Sequence, residues 1–419
     1  MSSKRFLFVL NRYLPSQSGA EILSSQIAEK LAEKKHSVKV LTLDVLDDSG
    51  YEKRGSGQIK GEVIRNVAVR RFPVTRFPYH QRIMAFLDRT GAFRYASSGS
   101  GVFSLEMIRA IKDEVRQCDA VVAGVMPFTG VIYPALKAAR ENNKKFILLP
   151  LMHFGQVRNS FCLTDFEVDA IIPERFSREF FSDAAMDIYK HSNVIITQGV
   201  YEERFAKKMT ESVFARVNPA VHPLPFEEKA EEKREGFRIL TLGNHNYWKG
   251  IETTLNAFRM VREKAPDAEL KIIGRMESKY AKIAERMDGV FVLGSVSENE
   301  KRRSLNEADV FLLPSIAESL GIASLEAHSY GVPSIAAYCT GSMQIIKEKN
   351  NGFLVPFGDY LLTFKIIMTL YENRRILERL KSETKKIAME GCNEIDGYRD
   401  GPFSSLRQEN QIDYLLEVL

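Results

Sequence analysis

A short apolar run, a glycine-bearing or polar turn and an amphipathic stretch recur along this 419-residue chain. Arg5–Leu10 reads as a strand, Ala20–Lys34 places Leu23, Ile27 and Leu31 on one helical face, and Val38–Leu43 is a strand again. Strand, helix and strand at this spacing form a βαβ unit, whose crossover makes the two strands parallel. The alternation continues through Ala120–Val125, Phe146–Leu151 and Val194–Thr197.

The pattern then breaks. Asn218–Pro225 holds Pro219, Pro223 and Pro225, and Glu227–Glu235 is nearly all charge. Stiff prolines followed by a solvated charge run read as an interdomain linker over 219–236, or as a surface loop with a frayed helix. The alternation restarts with the strand Phe237–Leu242 and a helix over Gly250–Lys264. Strands follow at Glu269–Ile273, Val290–Leu293 and Asp309–Leu313, and a further helix follows Asp359. The length suits two or three domains. The expected fold is α/β, with two doubly wound Rossmann-like domains facing a central cleft. Residues 1–218 form the first, 237–389 the second, and 390–419 a C-terminal segment that packs back on the first. Such sheets bind ligands outside the carboxyl ends of their strands.

Composition narrows the function classes. Apolar residues at 44% and charged residues at 27% exclude disorder and fibrous folds. Lys plus Arg number 59 and Asp plus Glu 54, and the resulting +5 is too small for this length to imply nucleic-acid binding. Cys118, Cys162, Cys339 and Cys392 are far apart with no CxxC pair, which argues against a disulfide scaffold or structural zinc and fits a reducing compartment. Phe6–Leu10 is too short for a signal-peptide core. Ala120–Leu136 is uncharged but broken by Gly124, Pro127, Gly130 and Pro134, so a buried strand, a loop and a helix start are expected rather than a membrane span.

Four motifs lie at strand ends. The loop Asn11–Glu21 ends in Ser18-Gly19-Ala20-Glu21 and opens a helix, so Gly19 is either a plain turn or a point where backbone approaches an anion at a helix N-terminus. In Gly243–Gly250 (GNHNYWKG), Lys249 precedes a helix and is either a diphosphate-binding cation or a solvated lysine. After the apolar run VFLLP come Glu318, Ser319, Leu320 and Gly321, with Glu326 on the helix beyond. On one continuous helix the two glutamates stand about 80° apart. With Glu318 in a loop instead, both can face the strand ends, one toward a reactive centre and one toward hydroxyls, with the Leu320 and Gly321 amides on the same ligand. The plainer alternative is a surface glutamate and a helix-face glutamate. His153, directly after Phe146–Leu151, is a candidate to bond a sugar hydroxyl, or an ordinary polar loop residue.

In this order the motifs resemble the retaining glycosyltransferases of family 4, the group 1 glycosyltransferases of GT-B fold. The stretches that carry the resemblance are KG at Lys249–Gly250, PDAELKIIG, FVLGSV, ADVFLLPS, AESLGIASLEAHSYGVPSIA and NGFLVPFGD, with SGAE, HSVKVLT and NVIITQGVYEERF in the first half. The glutamates resemble the family's Glu-x7-Glu signature. The resemblance implies a UDP- or GDP-linked sugar donor held mainly by the second domain. Glu326 is then assigned to the ribose hydroxyls, Glu318 and His153 to the donor sugar, and Lys249 and Gly19 to the diphosphate. Ser319, Leu320 and Gly321 line the same donor. No cofactor or metal ion is implied, because Lys, Arg and helix N-termini neutralise the leaving diphosphate. Where the family has an arginine after the preceding strand, this chain has Asn244, and Arg275 is the candidate substitute. A GT-B epimerase and a non-catalytic nucleotide-sugar-binding subunit are the alternatives.

The acceptor is less defined. Residues 65–94 carry seven arginines (65, 70, 71, 76, 82, 89 and 94) against Asp88 alone, with interleaved aromatics. This composition suits an anionic membrane surface, an acidic lipid-linked or polymeric glycan acceptor, or a solvated helix-loop face. The expected setting is cytoplasmic, at the membrane face, in cell-envelope or exopolysaccharide biosynthesis, with no nucleic-acid partner.

Overall fold

The computed structural model describes residues 3–16, 18–46, 60–89, 102–152, 183–219, 236–390 and 405–419. They divide into two compact units. The first holds an eight-stranded sheet: β1 (Arg5–Leu10), β2 (Ser37–Leu43), β3 (Lys60–Ile64), β4 (Val67–Phe72), β5 (Ala120–Gly124), β6 (Lys145–Leu149), β7 (Val194–Thr197) and β8 (Val213–Arg216), in the order β3-β4-β2-β1-β5-β6-β7-β8. All pairs are parallel except β3 with β4. Phe6 to Leu10 is buried throughout, as a strand covered on both faces requires. On one face Phe6, Phe8 and Leu10 pack with Leu23, Ile27 and Leu31 of the helix Gly19–Glu33, and with Ile412, Leu415 and Leu416 of the C-terminal helix Ser405–Glu417. Gln408–Leu419 belongs to this unit. Ala120–Leu136 resolves as expected into a strand, a loop and a helix, although Pro134 sits inside the helix Thr129–Glu141 rather than ending it.

Part of the arginine-rich stretch is a strand rather than a helix-loop face. Arg65 and Asn66 both have positive φ, 47° and 66°, the geometry of a two-residue hairpin turn, and this adds β3 antiparallel at the sheet edge.

The second unit holds six parallel strands: β9 (Phe237–Leu242), β10 (Ala268–Ile273), β11 (Val290–Gly294), β12 (Val310–Leu313), β13 (Ser334–Ala337) and β14 (Gly352–Val355), in the order β11-β10-β9-β12-β13-β14. Counted from β9 this is 3-2-1-4-5-6, the doubly wound nucleotide-binding order. Alternate residues feed two cores. Phe237, Ile239, Leu270, Ile272 and Val310 pack with Leu255 and Phe258 of the helix Ile251–Lys264. Leu240, Leu242, Phe311 and Leu313 pack on the opposite face with Leu305 of the helix Glu298–Glu307 and with Leu325 and Ala327 of the helix Ile322–Ser329. Among the described residues no helix is long and apolar enough to cross a membrane. Most of the expected linker, 220–235, lies outside the described residues.

Candidate functional site

The strand order of the second unit reverses between β9 and β12. The helix after β9 covers one face and the helix after β12 the other, so the two loops diverge and leave a crevice at the carboxyl ends. These are the loops that carry Lys249 and Glu318.

Close backbone contact fixes them together. Gly250 has φ +66°, and a Cβ there would lie 2.0 Å from the Pro314 carbonyl oxygen, so glycine alone permits both the conformation and the approach. The Ile316 N–H donates to the Trp248 carbonyl at 2.9 Å. Across this junction Lys249 Nζ meets Glu318 Oε1 at 2.6 Å. Glu318 is only 6% exposed, and that ammonium is a charge partner in its enclosed setting. From the other side the Gly341 backbone presses on it: a Cβ at Gly341 would come within 2.7 Å of the Glu318 Cβ and carbonyl oxygen. Leu320 is buried, and Gly321, φ +81°, caps the helix Ile322–Ser329 in the left-handed conformation. The glutamates therefore do not share one continuous helix.

Glu326 has its own cation. Lys301, on the helix Glu298–Glu307, places Nζ 3.0 Å from Glu326 Oε1 and 2.7 Å from Glu298 Oε1. Burial pushes the Glu326 carboxyl above the usual range, and Lys301 offsets part of that push. Residue spacing gives no signal for Lys301, which lies 25 positions from its partner.

Asn244 and Arg275 are exposed at neighbouring strand ends. The loops bearing them are joined by the His245 N–H to the Arg275 carbonyl, 2.6 Å, and by His245 Nε2 donating to the Ile273 carbonyl, 2.9 Å. Burial lowers the His245 pKa to about 4, so the ring is neutral and acts as a brace. Burial, with the Glu318 charge beside it, raises the Cys339 thiol to about 11, which removes it as a thiolate nucleophile. Among the described residues no cluster of three or more His, Cys, Asp or Glu could hold a metal ion.

Gly19 belongs to the first unit, where it opens the helix Gly19–Glu33 behind Ser18. Glu21 closes that turn, accepting the Ser18 N–H at 3.1 Å and Arg12 Nε at 2.9 Å. His153 lies outside the described residues. Within 65–94, Arg65 pairs with Glu29, Arg70 with Glu114 and Arg71 with Glu62, so these three charges have acidic partners within the chain. Tyr79, just before the helix His80–Arg89, and Ile83 and Phe86 within it are exposed.

Residues 225–387 match the family model of glycosyl transferases group 1. The putative glycosyltransferase EpsD of Bacillus subtilis (strain 168) is 29% identical over 175 residues, 39% of this chain and 45% of that protein. The amylovoran biosynthesis glycosyltransferase AmsK of Erwinia amylovora is 27% identical over 162 residues, 36% of this chain and 40% of that one. The matched segment thus spans less than half of either relative. Anabaena Alr3699/HepE, solved in complex with UDP and glucose, superposes with a TM-score of 0.67 at 15% identity, covering 99% of this chain and 100% of that one. The fold is that of the GT-B glycosyltransferases, as the alternating pattern and the resemblance led us to expect.

Proposed function

We propose that the chain is a retaining glycosyltransferase that moves a sugar from a UDP- or GDP-linked donor to a hydroxyl of a glycan or lipid-linked acceptor, in cell-envelope or exopolysaccharide biosynthesis. The observation that carries this reading is the Lys249–Glu318 pair at the strand-order reversal of a doubly wound sheet. An ammonium has three N–H donors, so Lys249 can keep Glu318 and still take a diphosphate oxygen. Glu318, held by Gly341 and Lys249, stands at the donor sugar, and Glu326 accepts from the ribose hydroxyls. Ser319, Leu320 and Gly321 line the donor, and Gly19 and His153 take the roles at the diphosphate and sugar that the resemblance assigns them. Asn244 and Arg275 stand at neighbouring strand ends of the second unit, where Arg275 replaces the cation that Asn244 lacks.

In the reaction, the bond from the anomeric carbon to the phosphate oxygen breaks and its electron pair leaves with the nucleoside diphosphate. The acceptor oxygen forms its bond to that carbon on the same face, and the acceptor proton passes to the departing phosphate oxygen. Lys249 and the turn at Gly321 stabilise the developing negative charge, with no metal ion required. Tyr79, Ile83 and Phe86, beside the exposed Arg82, suit attachment at an anionic membrane face of the cytoplasm. UDP-binding by the structural neighbour supports the donor class.

The test is a thermal-shift panel of nucleotides and nucleotide-sugars, followed by donor turnover in Glu318→Gln. A selective rise in melting temperature with UDP or GDP is expected by mass action. No response to any nucleotide, or full turnover in the variant, overturns the reading.

A further inference from the structure

One cation at this site is not accounted for by the donor chemistry above. Lys301 is largely enclosed, its side chain 23% exposed, and it bridges two carboxylates on different helices. Burial alone pushes its pKa down, but Glu326 and Glu298 outweigh that and raise it, so the ammonium stays charged. Glu298 lies in the first turn of the helix Glu298–Glu307, whose N-terminus Ser297 caps by accepting the Glu300 N–H at 3.2 Å. Lys301 is thus anchored on its own helix and reaches across to the next. Its partner Glu326 keeps 22% of its side chain exposed, enough to meet a ligand. A carboxylate offers about four acceptor positions, so one bond to Lys301 leaves capacity for two hydroxyl donors.

We propose that Lys301 is a positioning residue for donor recognition: it orients the Glu326 carboxylate so that it accepts from both vicinal hydroxyls of the donor ribose. The inference rests on the reading of Glu326 as the ribose ligand. An ion pair spanning two helices sets both the direction and the ionisation of the carboxylate, which a neutral side chain at 301 cannot do.

The experiment is calorimetric titration of the full-length protein with UDP and GDP and with their 2′,3′-dideoxy counterparts. The wild type should prefer the ribo form of its nucleotide by about tenfold or more. Lys301→Met should lose most of that preference while its affinity for the dideoxy form stays within about twofold, and Lys301→Arg should retain it. In donor kinetics Lys301→Met should raise KM by about tenfold with kcat within about threefold, since the lost interaction is made equally in ground and transition states. In a Glu326→Gln background the same substitution should have no further effect on the preference. Should Lys301→Met not fold, Lys301→Gln decides the question by the same comparison. A variant that keeps the full ribo preference, or weakens both forms equally, overturns the inference and leaves the donor reading standing. A wild type that binds ribo and dideoxy forms alike removes Glu326 as ribose ligand and the inference with it. A wild type that binds neither nucleotide overturns the donor reading itself.

Discussion

The two units answer one architectural problem with different chemistry. In both, the first strand runs into a loop and then a helix next to the place where the strand order reverses: β1 between β2 and β5, β9 between β10 and β12. In the first unit the acid of the helix's first turn, Glu21, is spent locally on its own helix N-terminus and on Arg12, nine residues back. In the second, Lys249 of the first loop pairs with Glu318 of a loop 69 residues away. A local pair stabilises a turn, whereas a pair across two loops places opposite charges over a crevice where a ligand can share them. Identical placement in the fold therefore does not make equivalent sites, and the group 1 family match falls on the second unit.

The sharpest way to break this contrast is to neutralise each acid. Under the proposed role of Glu318 at the donor sugar, Glu318→Gln should lower kcat by about 10²-fold or more through loss of a preorganised charge. Glu21→Gln should leave kcat within about threefold and instead cost about 1–2 kcal/mol of stability through the weakened cap, read as a lower thermal midpoint. Equal kinetic losses in the two variants would mean that the loops are equivalent after all.

The glycines give the next contrast. Gly250→Ala should cost about 3 kcal/mol or more, since both the left-handed backbone and the Pro314 carbonyl oppose a Cβ. Gly19→Ala, at the start of a helix, should stay within about 1 kcal/mol. A fall in donor affinity at unchanged stability would mark Gly19 as a point of ligand approach. Chemical denaturation with a parallel donor titration reads both quantities.

The first unit also carries a pH-dependent element. Both oxygens of buried Glu202 accept backbone N–H groups, of Met152 and Gln198, each at 2.8 Å, tying together the chain beyond β6 and β7. Burial raises its pKa from an ordinary 4.5 to about 7, the backbone bonds partly opposing. The folded state thus holds this proton where the unfolded chain has lost it. Its contribution is fully present below pH about 4.5 and is lost as pH rises through 7, a change of about 3 kcal/mol. Unfolding midpoints at pH 5 and pH 8 should therefore differ more in the wild type than in Glu202→Gln. A wild-type difference no larger than the variant's would refute the assignment.

The smallest expected effect is at Asn244. Restoring a cation with Asn244→Arg should tighten donor binding several-fold, about 1 kcal/mol, as a partly solvated charge pair does. No change would indicate that Arg275, whose backbone is bonded to His245 next door, already supplies the charge.

Much of this molecule is legible as a string of residues. Continuous apolar runs such as Phe6–Leu10 and Val310–Leu313 announce buried parallel strands, and amphipathic spacing announces the helices between them, because both patterns follow from local geometry. The β3–β4 hairpin escaped notice because its turn is Arg65-Asn66 rather than a glycine-bearing pair. Strands β8, β13 and β14 are not continuous runs of large apolar residues, being interrupted by Arg216, by Ser334 and by Gly352. Seven clustered arginines look alike in one dimension, yet three are bound to Glu29, Glu62 and Glu114 through the fold.

Residue order alone thus determined the repeated α/β plan, the strand ends that bear Lys249 and Glu318, and the helix beyond that bears Glu326, since hydrophobic period and motif spacing are properties of neighbours. Only the tertiary structure decided which charges meet: Lys249 with Glu318, Lys301 with Glu326, and His245 as a neutral brace. Those outcomes depend on desolvation and on distances between segments far apart in the chain, which no local pattern records.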